Sequence, residues 1–189
     1  SFDRYIGENI PIVSSDNYQG GRLATETLLK SHSTKPWMIT GTNDPNSPTY
    51  LRYQAFMDVT KERGLEGHLT KIPKEFSQIR KQLKIKALLT EERPDAIFCS
   101  DDLTALLVMN TARELGLSIP DDLRIVGYDG TNFIQTYVPQ LTTIAQPIRD
   151  LAELLVDVLL QQIDHSLEVK KHADNRYILP IKLIPGQTV

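Results

Sequence analysis

Two acidic side chains follow short apolar stretches of the sequence. Asp101 comes directly after DAIFCS (95–100), and Asp129 comes directly after LRIVGY (123–128). Both stretches are typical of buried strands. A carboxylate at the end of such a strand either caps the following turn or faces a cleft and accepts hydrogen bonds from a bound molecule. Each acid lies at the carboxyl end of its strand. If the two strands are parallel, both acids lie at the same edge of the sheet.

Other polar side chains could share that edge with the two acids. Recognition of a sugar needs carboxylates and a guanidinium group for its hydroxyls, and an aromatic ring adds contact area. These residue types favour a binding site for a small polar molecule. The candidates for such a site are Asp3, Arg52, Phe76, Asp101, Asp129 and Gln146.

Each candidate also has a purely structural interpretation, and the sequence leaves the alternatives open. One of Asp101 and Asp102 is expected to cap the helix that begins there, which leaves the other free. Arg52 fits an exposed helix position equally well, and Phe76 fits the core. The remaining alternatives are caps and a surface pair: Asp129 with Gly130, Gln146 before Pro147, SSDN (14–17) before a helix, and Asp3 with Arg4.

The sequence offers little for catalysis. It contains no G-x-S-x-G elbow, no phosphate-binding G-x-x-x-x-G-K-[ST] loop and no G-x-G-x-x-G motif. A general acid and base formed by Asp101 and Asp129 is the one catalytic alternative, but no nucleophile or histidine lies near them in sequence. No pair at metal-ligand spacing occurs among the four histidines, which are His32, His68, His165 and His172. We therefore expect no enzyme, no metal and no cofactor.

The composition is that of an ordinary globular protein. Of the 189 residues, 40% are hydrophobic and 24% are charged, and the net charge of −3 provides no basic surface for nucleic acid. The single cysteine, Cys99, lies in an apolar strand pattern, which predicts a core residue and fits a reducing compartment. No apolar run approaches the ~18 residues of a membrane helix. The chain opens on Ser1 rather than Met, so we expect the true N-terminus to be missing.

Short apolar stretches alternate with longer helical patterns along the chain. This alternation predicts an α/β fold with a parallel sheet and right-handed crossovers, in which ligands bind outside the carboxyl ends of the strands. The two strands before residue 41 cannot form a stable sheet alone, so they either belong to a lobe whose beginning is absent or join the main sheet. Strands are predicted at 10–15, 36–40, 68–73, 95–100, 123–128, 141–146 and 176–184, with helices at about 17–30, 50–63, 77–89, 102–115 and from 148.

Three segments resemble the lactose/galactose repressor family of bacterial transcription regulators: SSDNYQGGRLATETLL, PDAIFCSDDLTALLVMNTARELGLSIPDDLRIVGYDG and VPQLTTIAQP. The resemblance implies a periplasmic-binding-protein-like type I core, with two Rossmann-like lobes that have parallel sheets and are joined by three crossovers. It places 1–42 plus 146–165 in an incomplete N-terminal lobe and 43–145 plus 166–189 in a C-terminal lobe. The effector lies in the cleft between the lobes.

The resemblance also implies roles for individual residues. FDR places Asp3 at the cleft edge, and RYQAF makes Arg52 a clamp on the ligand, although Ala55 replaces the glycine of the family pattern. Phe76 matches an aromatic position that often stacks on the effector. Four further residues match positions in or near the cleft: Asp101, Asp129, Gln146 and, less closely, Asn46. The ending PGQT departs from the family pattern, so no contact is inferred for the tail.

These observations predict the effector-sensing domain of a cytoplasmic, sugar-responsive transcription regulator. Such a regulator is a homodimer that reaches operator DNA through a helix-turn-helix headpiece, which is absent from this chain, and it has no contact with a membrane. The resemblance puts the dimer surface on the first helix (17–30) and on helices of the C-terminal lobe. The alternative is a periplasmic sugar-binding protein of a transporter. A neutral sugar is favoured over a purine, and a phosphorylated sugar stays open.

Overall fold

The computed structural model describes residues 1–4, 6–7, 10–30, 33–42, 44–163 and 175–189. His32, His165 and His172 lie outside these residues. Strands and helices alternate as predicted. The elements are β1 (Ile12–Ser15), α1 (Asn17–Leu28), β2 (Pro36–Thr40), α2 (Pro48–Glu62), β3 (His68–Lys71), α3 (Gln78–Ala87), β4 (Ala96–Cys99), α4 (Asp102–Glu114), β5 (Arg124–Asp129), α5 (Asn132–Tyr137), β6 (Thr142–Ala145), α6 (Ile148–Ile163), β7 (Arg176–Leu179) and β8 (Lys182–Ile184).

Six of these strands form one sheet in the order β3-β2-β4-β5-β6-β8. The first five strands are parallel, and β8 runs antiparallel to β6. β2 and β4 are buried along their whole length, which explains why PWMIT and AIFC carry almost no polar residues. The strand order reverses direction between β2 and β4. In open α/β sheets a ligand crevice forms at the carboxyl ends of the strands on either side of that point.

Alternate residues of the strands face two separate cores. Ile97 and Cys99 of β4 pack with α3 and α4 on one face, whereas Ala96 and Phe98 pack with α1 and α2 on the other. This alternation is the normal consequence of the strand pleat. Burial of Cys99 agrees with its predicted place in the core, and burial raises the pKa of its thiol.

β1 and β7 form a second, two-stranded parallel sheet. α6 covers this pair through a small apolar core that contains Val13, Leu151, Val158 and Tyr177. Within the described residues the chain passes between the two sheets three times, from β1 to α1, from β6 to α6 and from β7 to β8. Two of these connections are joined where Asp16 N donates to Leu179 O at 2.9 Å. The predicted three crossovers are therefore present.

Strand pairing differs from the predicted boundaries at two strands. β2 was expected with the N-terminal lobe, but it pairs with β3 and β4 in the six-stranded sheet. β7 was expected with the C-terminal lobe, but it pairs with β1. The single strand predicted over 176–184 is two strands in different sheets, because the chain turns at Pro180, which has no N–H for a ladder. The short helix α5 was not predicted. The division into lobes itself stays a prediction.

Glycines allow α1 to lie close against the six-stranded sheet and against α2. A Cβ at Gly20 would lie 2.3 Å from the Tyr128 hydroxyl, and one at Gly21 would lie 2.7 Å from the Arg52 carbonyl oxygen. Neither backbone nor a packed aromatic ring can yield that much space. The start of α1 is therefore held at a fixed distance from Arg52 and Tyr128.

Asp102 joins three elements beneath the carboxyl edge of the sheet. It is 2% exposed, and its two oxygens accept hydrogen bonds from Thr143 Oγ1 at 2.6 Å and from Gly130 N at 2.7 Å. The expectation that one acid of the pair would be free is wrong, because Asp101 caps α4 and Asp102 is buried. Burial raises the pKa of Asp102 from 3.8 to about 7, in spite of its two hydrogen bonds.

This raised pKa predicts that ionisation of Asp102 destabilises the folded chain. The folded state holds the proton more tightly than the unfolded state, so the contribution of Asp102 to stability falls as the pH rises from about 4 to about 7 and is constant above that. Asp102→Asn removes the effect, because Asn stays neutral and can still accept from Gly130 N. The free energy of unfolding of the variant relative to wild type should rise by about 2 kcal/mol between pH 5 and pH 7.

Urea denaturation at pH 5, 6, 7 and 8 measures this difference. Asp95→Asn is the matched control. Burial of Asp95 is outweighed by hydrogen bonds from Ser33, Thr34 and Lys35, which lower its pKa. The contribution of Asp95 to stability is lost only as the pH falls below about 4. Asp95→Asn should therefore lower the free energy of unfolding by the same amount at every pH from 5 to 8. Parallel pH curves for wild type and Asp102→Asn would contradict the assignment.

Candidate functional site

A cleft of about 680 Å³ opens at the carboxyl ends of β2, β4 and β5. This volume is within the range of small-molecule sites in proteins. The cleft lies at the point where the sheet order reverses, as expected for a doubly wound sheet. Five of the candidates line it: Asp3, Arg52, Asp101, Asp129 and Gln146.

Asp3 reaches the cleft from the side of the two-stranded sheet. Its neighbour Phe2 forms a bridge with Val13 of β1, and the backbone of Asp3 has a φ of 58°. Asn17 Nδ2 donates to Asp3 Oδ1 at 3.1 Å. Burial raises the pKa of Asp3, and the hydrogen bond from Asn17 and the charge of Arg52 offset this only in part.

Arg52 reaches the cleft from α2 on the side of the six-stranded sheet. It is 4% exposed, so the alternative of an exposed helix residue is wrong. Its Nε donates to Asn17 Oδ1 at 2.9 Å, its Nη1 donates to Ser100 O at 2.8 Å, and its guanidinium lies 3.6 Å from the centre of the Tyr128 ring. Within the described residues Nη2 has no hydrogen-bond partner, which leaves it for a molecule in the cleft.

Asp129 and Gln146 form a hydrogen-bonded pair at the second connection. Gln146 Nε2 donates to Asp129 Oδ1 at 2.8 Å, and Gln146 Oε1 accepts from Ser15 Oγ at 2.8 Å. Burial raises the pKa of Asp129, with Arg52 and Gln146 acting in the opposite direction. Asp129 does not cap the following helix, because Thr131 does so. Its Oδ2 has no partner among the described residues and can accept from a ligand.

Asp101 lines the cleft and also caps α4. Its two oxygens accept from the backbone N of Thr104 at 2.8 Å and from Thr104 Oγ1 at 2.9 Å. The capping interpretation is therefore confirmed. A ligand contact would have to use the remaining acceptor capacity of the same carboxylate.

Two candidates lie outside the lining of the cleft. Phe76 packs against the core on the α3–α4 face, with Lys84 Nζ 6.0 Å from its ring centre. Asn46 is exposed in the loop before α2, where its backbone N donates to the carboxylate of Asp44. The described lining contains no aromatic ring. Its apolar side chains are Pro48, Ile72, Leu103 and Leu107.

Sequence reasoning missed the residues that hold the cleft side chains in place. Asn17, Ser15 and Tyr128 contact Asp3, Gln146 and Arg52 from behind. The one signal for Asn17 and Ser15 was their position at the carboxyl end of β1 in SSDN. That segment was interpreted as a helix cap, and Asp16 does cap α1 by accepting from Gln19 N at 2.9 Å.

The described residues contain no candidate metal site and no candidate membrane span. No group of three or more His, Cys, Asp or Glu side chains there could hold a metal ion. Within the same residues, no helix reaches the length and hydropathy that a membrane span requires.

Comparison with known proteins identifies the fold. Residues 25–189 match the family model of the periplasmic binding protein-like domain. The sequence is 49% identical over 189 residues to the sucrose operon repressor of Streptococcus mutans serotype c. That match covers 100% of this chain and 56% of the repressor, so the chain spans about half the length of this relative.

Solved structures agree with this match. A periplasmic binding protein/LacI transcriptional regulator from Alkaliphilus metalliredigens, in complex with D-xylulofuranose, has a TM-score of 0.84 and 31% identity over 100% of this chain and 69% of its own. A LacI-family regulator from Enterococcus faecium with bound ribose has a TM-score of 0.80 and 26% identity over 98% of this chain and 69% of its own. The predicted fold class and family resemblance are confirmed. The chain belongs to the periplasmic binding protein-like domain family, within the LacI-type transcription regulators.

Proposed function

We propose that this chain is the effector-sensing domain of a bacterial sugar-responsive transcription regulator and that it binds a small carbohydrate in the cleft. One observation carries the proposal. Asp3, Arg52 and Asp129 are each held by protein hydrogen bonds, and each keeps a polar atom that no other described residue engages. Rigid groups with open donors and acceptors in a cleft are what recognition of sugar hydroxyls requires.

The polarity of the cleft favours a neutral sugar. Carboxylates of the lining can accept from hydroxyls and guanidinium groups can donate, while Ile72, Leu103 and Leu107 offer an apolar surface to ring C–H groups. Lys74 and Lys81 also line the cleft, so a phosphorylated sugar is the next class to test. The relative from Streptococcus mutans is named for the sucrose operon, which makes sucrose the first probe. That relative is named a repressor, which favours a regulator over the transporter alternative.

The mechanism follows from the placement of the contacts. Asp3 lies on the side of the two-stranded sheet, whereas Arg52 of α2 and Asp129 of β5 lie on the side of the six-stranded sheet. A sugar that contacts residues on both sides of the cleft binds best to one relative arrangement of the two sides. It shifts the population toward that arrangement to the extent that its affinity for this arrangement exceeds its affinity for the others. In the whole protein, acting in the cytoplasm, this shift would change how a homodimer presents its headpieces to operator DNA.

We expect sucrose or a related sugar to stabilise the wild-type chain and not Asp129→Asn. At 100 times its dissociation constant a ligand adds about 2.7 kcal/mol to the free energy of unfolding. A thermal-shift screen with sucrose, D-fructose, D-glucose, D-ribose and sucrose 6-phosphate measures this. Asp122→Asn is the control, because Asp122 is exposed and accepts from Ser118 N outside the cleft. Failure of all five sugars, or an undiminished shift in Asp129→Asn, would contradict the proposal.

We propose that the homodimer forms through an exposed apolar surface on α3. Ile79 and Leu83 are 71% and 62% exposed and lie one turn apart on α3. Exposed apolar side chains that lie next to each other are candidates for an interaction surface. By contrast α1, which the resemblance placed at the dimer surface, packs against α2 and buries Ala24 and Leu28.

Leu83→Lys should therefore shift the chain from dimer to monomer, because it places a charge in an apolar contact. Sedimentation velocity between about 1 and 100 µM, a range that spans typical dimer affinities, measures the change. Leu51→Lys is the matched control, since Leu51 is 43% exposed on α2. Equal dissociation of both variants, or of neither, would rule out the α3 surface.

A further inference from the structure

We propose that Asn17 is the positioning residue that sets Asp3 and Arg52 in their effector-binding geometry, an inference that rests on the proposed function. Asn17 is 3% exposed and is not among the residues that line the cleft. It acts through the two residues that do line the cleft.

The side-chain amide of Asn17 uses all of its hydrogen-bonding capacity. Its Nδ2 donates to Asp3 Oδ1 at 3.1 Å and to the Ser15 carbonyl at 3.1 Å. Its Oδ1 accepts from Arg52 Nε at 2.9 Å and from the Tyr128 hydroxyl at 3.5 Å. An amide has two N–H donors and two acceptor lone pairs, so each has a partner.

Only one orientation of this amide satisfies its neighbours. The reversed orientation would set the NH₂ group against the N–H of Arg52 and the oxygen against the carboxylate of Asp3. Both contacts would be repulsive in a buried environment, where an unpaired polar group costs most. Asn17 is thus fixed, and it fixes Asp3 and Arg52 in turn.

The location of Asn17 explains why this matters for binding. It is the first residue of α1, directly after the first connection between the two sheets. Asp3 lies on the side of the two-stranded sheet and Arg52 on the other. One amide therefore sets the distance between two ligand groups on opposite sides of the cleft. Close packing of Gly21 against Arg52 holds the amide at that distance.

The titration of Asp3 provides a readout that does not need a ligand. Burial raises the pKa of Asp3, the hydrogen bond from Asn17 lowers it, and the charges of Arg52 and Arg4 lower it further. Loss of the Asn17 hydrogen bond should raise the pKa of Asp3 further. A residue that merely stabilised α1 would not change this titration.

Three variants separate positioning from folding. Asn17→Ala removes the hydrogen bonds of the side chain to Asp3 and to Arg52. Asn17→Asp has the same shape and keeps an acceptor for Arg52 Nε, but it loses the donor to Asp3 and places a second carboxylate beside it. The double variant Asp3→Asn with Asn17→Asp reverses the donor and acceptor and restores the hydrogen bond. Thr25→Ala is the control, because Thr25 is fully buried in the same helix and donates only to Gly21 O.

Carboxylate ¹³C NMR titration of Asp3 and hydrogen exchange of Arg52 Nε–H measure positioning in the free protein, and calorimetry measures sucrose affinity. We expect Asn17→Ala and Asn17→Asp to raise the pKa of Asp3, and we expect Asn17→Ala to speed the exchange of Arg52 Nε–H. Each should weaken sucrose binding by about tenfold or more. The double variant should recover part of the affinity lost in Asn17→Asp.

The outcomes distinguish this inference from the proposed function. If the Asp3 titration in both Asn17 variants, or the Arg52 exchange in Asn17→Ala, matches that in Thr25→Ala, the positioning role is overturned whatever the sucrose affinity is. If both readouts change but sucrose affinity stays at the wild-type value, the role in binding is overturned. If both change and the wild-type chain binds none of the five sugars, positioning is supported and the carbohydrate proposal fails.

Discussion

Burial of polar side chains at the junction of the two sheets is the constraint on which the cleft depends. A buried carboxylate, amide or guanidinium group costs free energy unless it has hydrogen-bond partners. Asn17, Arg52 and Asp102 are all less than 5% exposed, and each has at least two such partners. These partners come from several elements, so the requirement to pair them fixes how α1, α2, α4 and the sheet edge meet.

The same burial makes the cleft ready to accept a ligand. Asp3 and Asp129 have raised pKa values because protein surrounds them more than water does. A hydroxyl that donates to either carboxylate would supply a hydrogen bond that the protein provides only in part. Since Asp3 and Asp129 approach from different sheets, a molecule that pairs with both also ties the two sides together. The same hydrogen bonds with Asp3 and Asp129 would thus both bind the ligand and cause the proposed population shift.

The sequence predicted features that depend on neighbouring residues better than features that depend on contacts between distant parts of the chain. Asp101 and Asp129 were predicted correctly at a cleft because an acid after an apolar strand is a local signal, and the topology of parallel sheets directs such residues to one edge. Capping by Asp16 was also local. Asn17 was missed because its role depends on contacts with residues far away in the chain, which no pattern in SSDN reveals.

Other errors had the same cause. PWMIT reads as a buried strand in either sheet, so its pairing with β3 and β4 could not be inferred from its pattern. The apolar run RYILPIKLI was interpreted as one strand, although its two halves belong to different sheets. Pro180 is the one residue in the run that indicates a break. Phe76 matched an aromatic family position, and its packing against the core on the α3–α4 face was likewise not visible in the sequence, whereas its stacking on an effector stays a prediction. Tertiary contacts rather than local propensity decided each of these cases.

A sugar that binds between Asp3 and Asp129 should change the chemical shifts of these two carboxyl groups, and a map of carboxyl chemical shifts detects this. Aspartate ¹³C-carboxyl resonances of the wild-type chain would be recorded during a titration with sucrose. We expect saturable shifts at Asp3 and Asp129, and none at Asp95 or Asp122, which lie outside the cleft. Saturable shifts confined to aspartates outside the cleft, with Asp3 and Asp129 unchanged, would contradict this proposal.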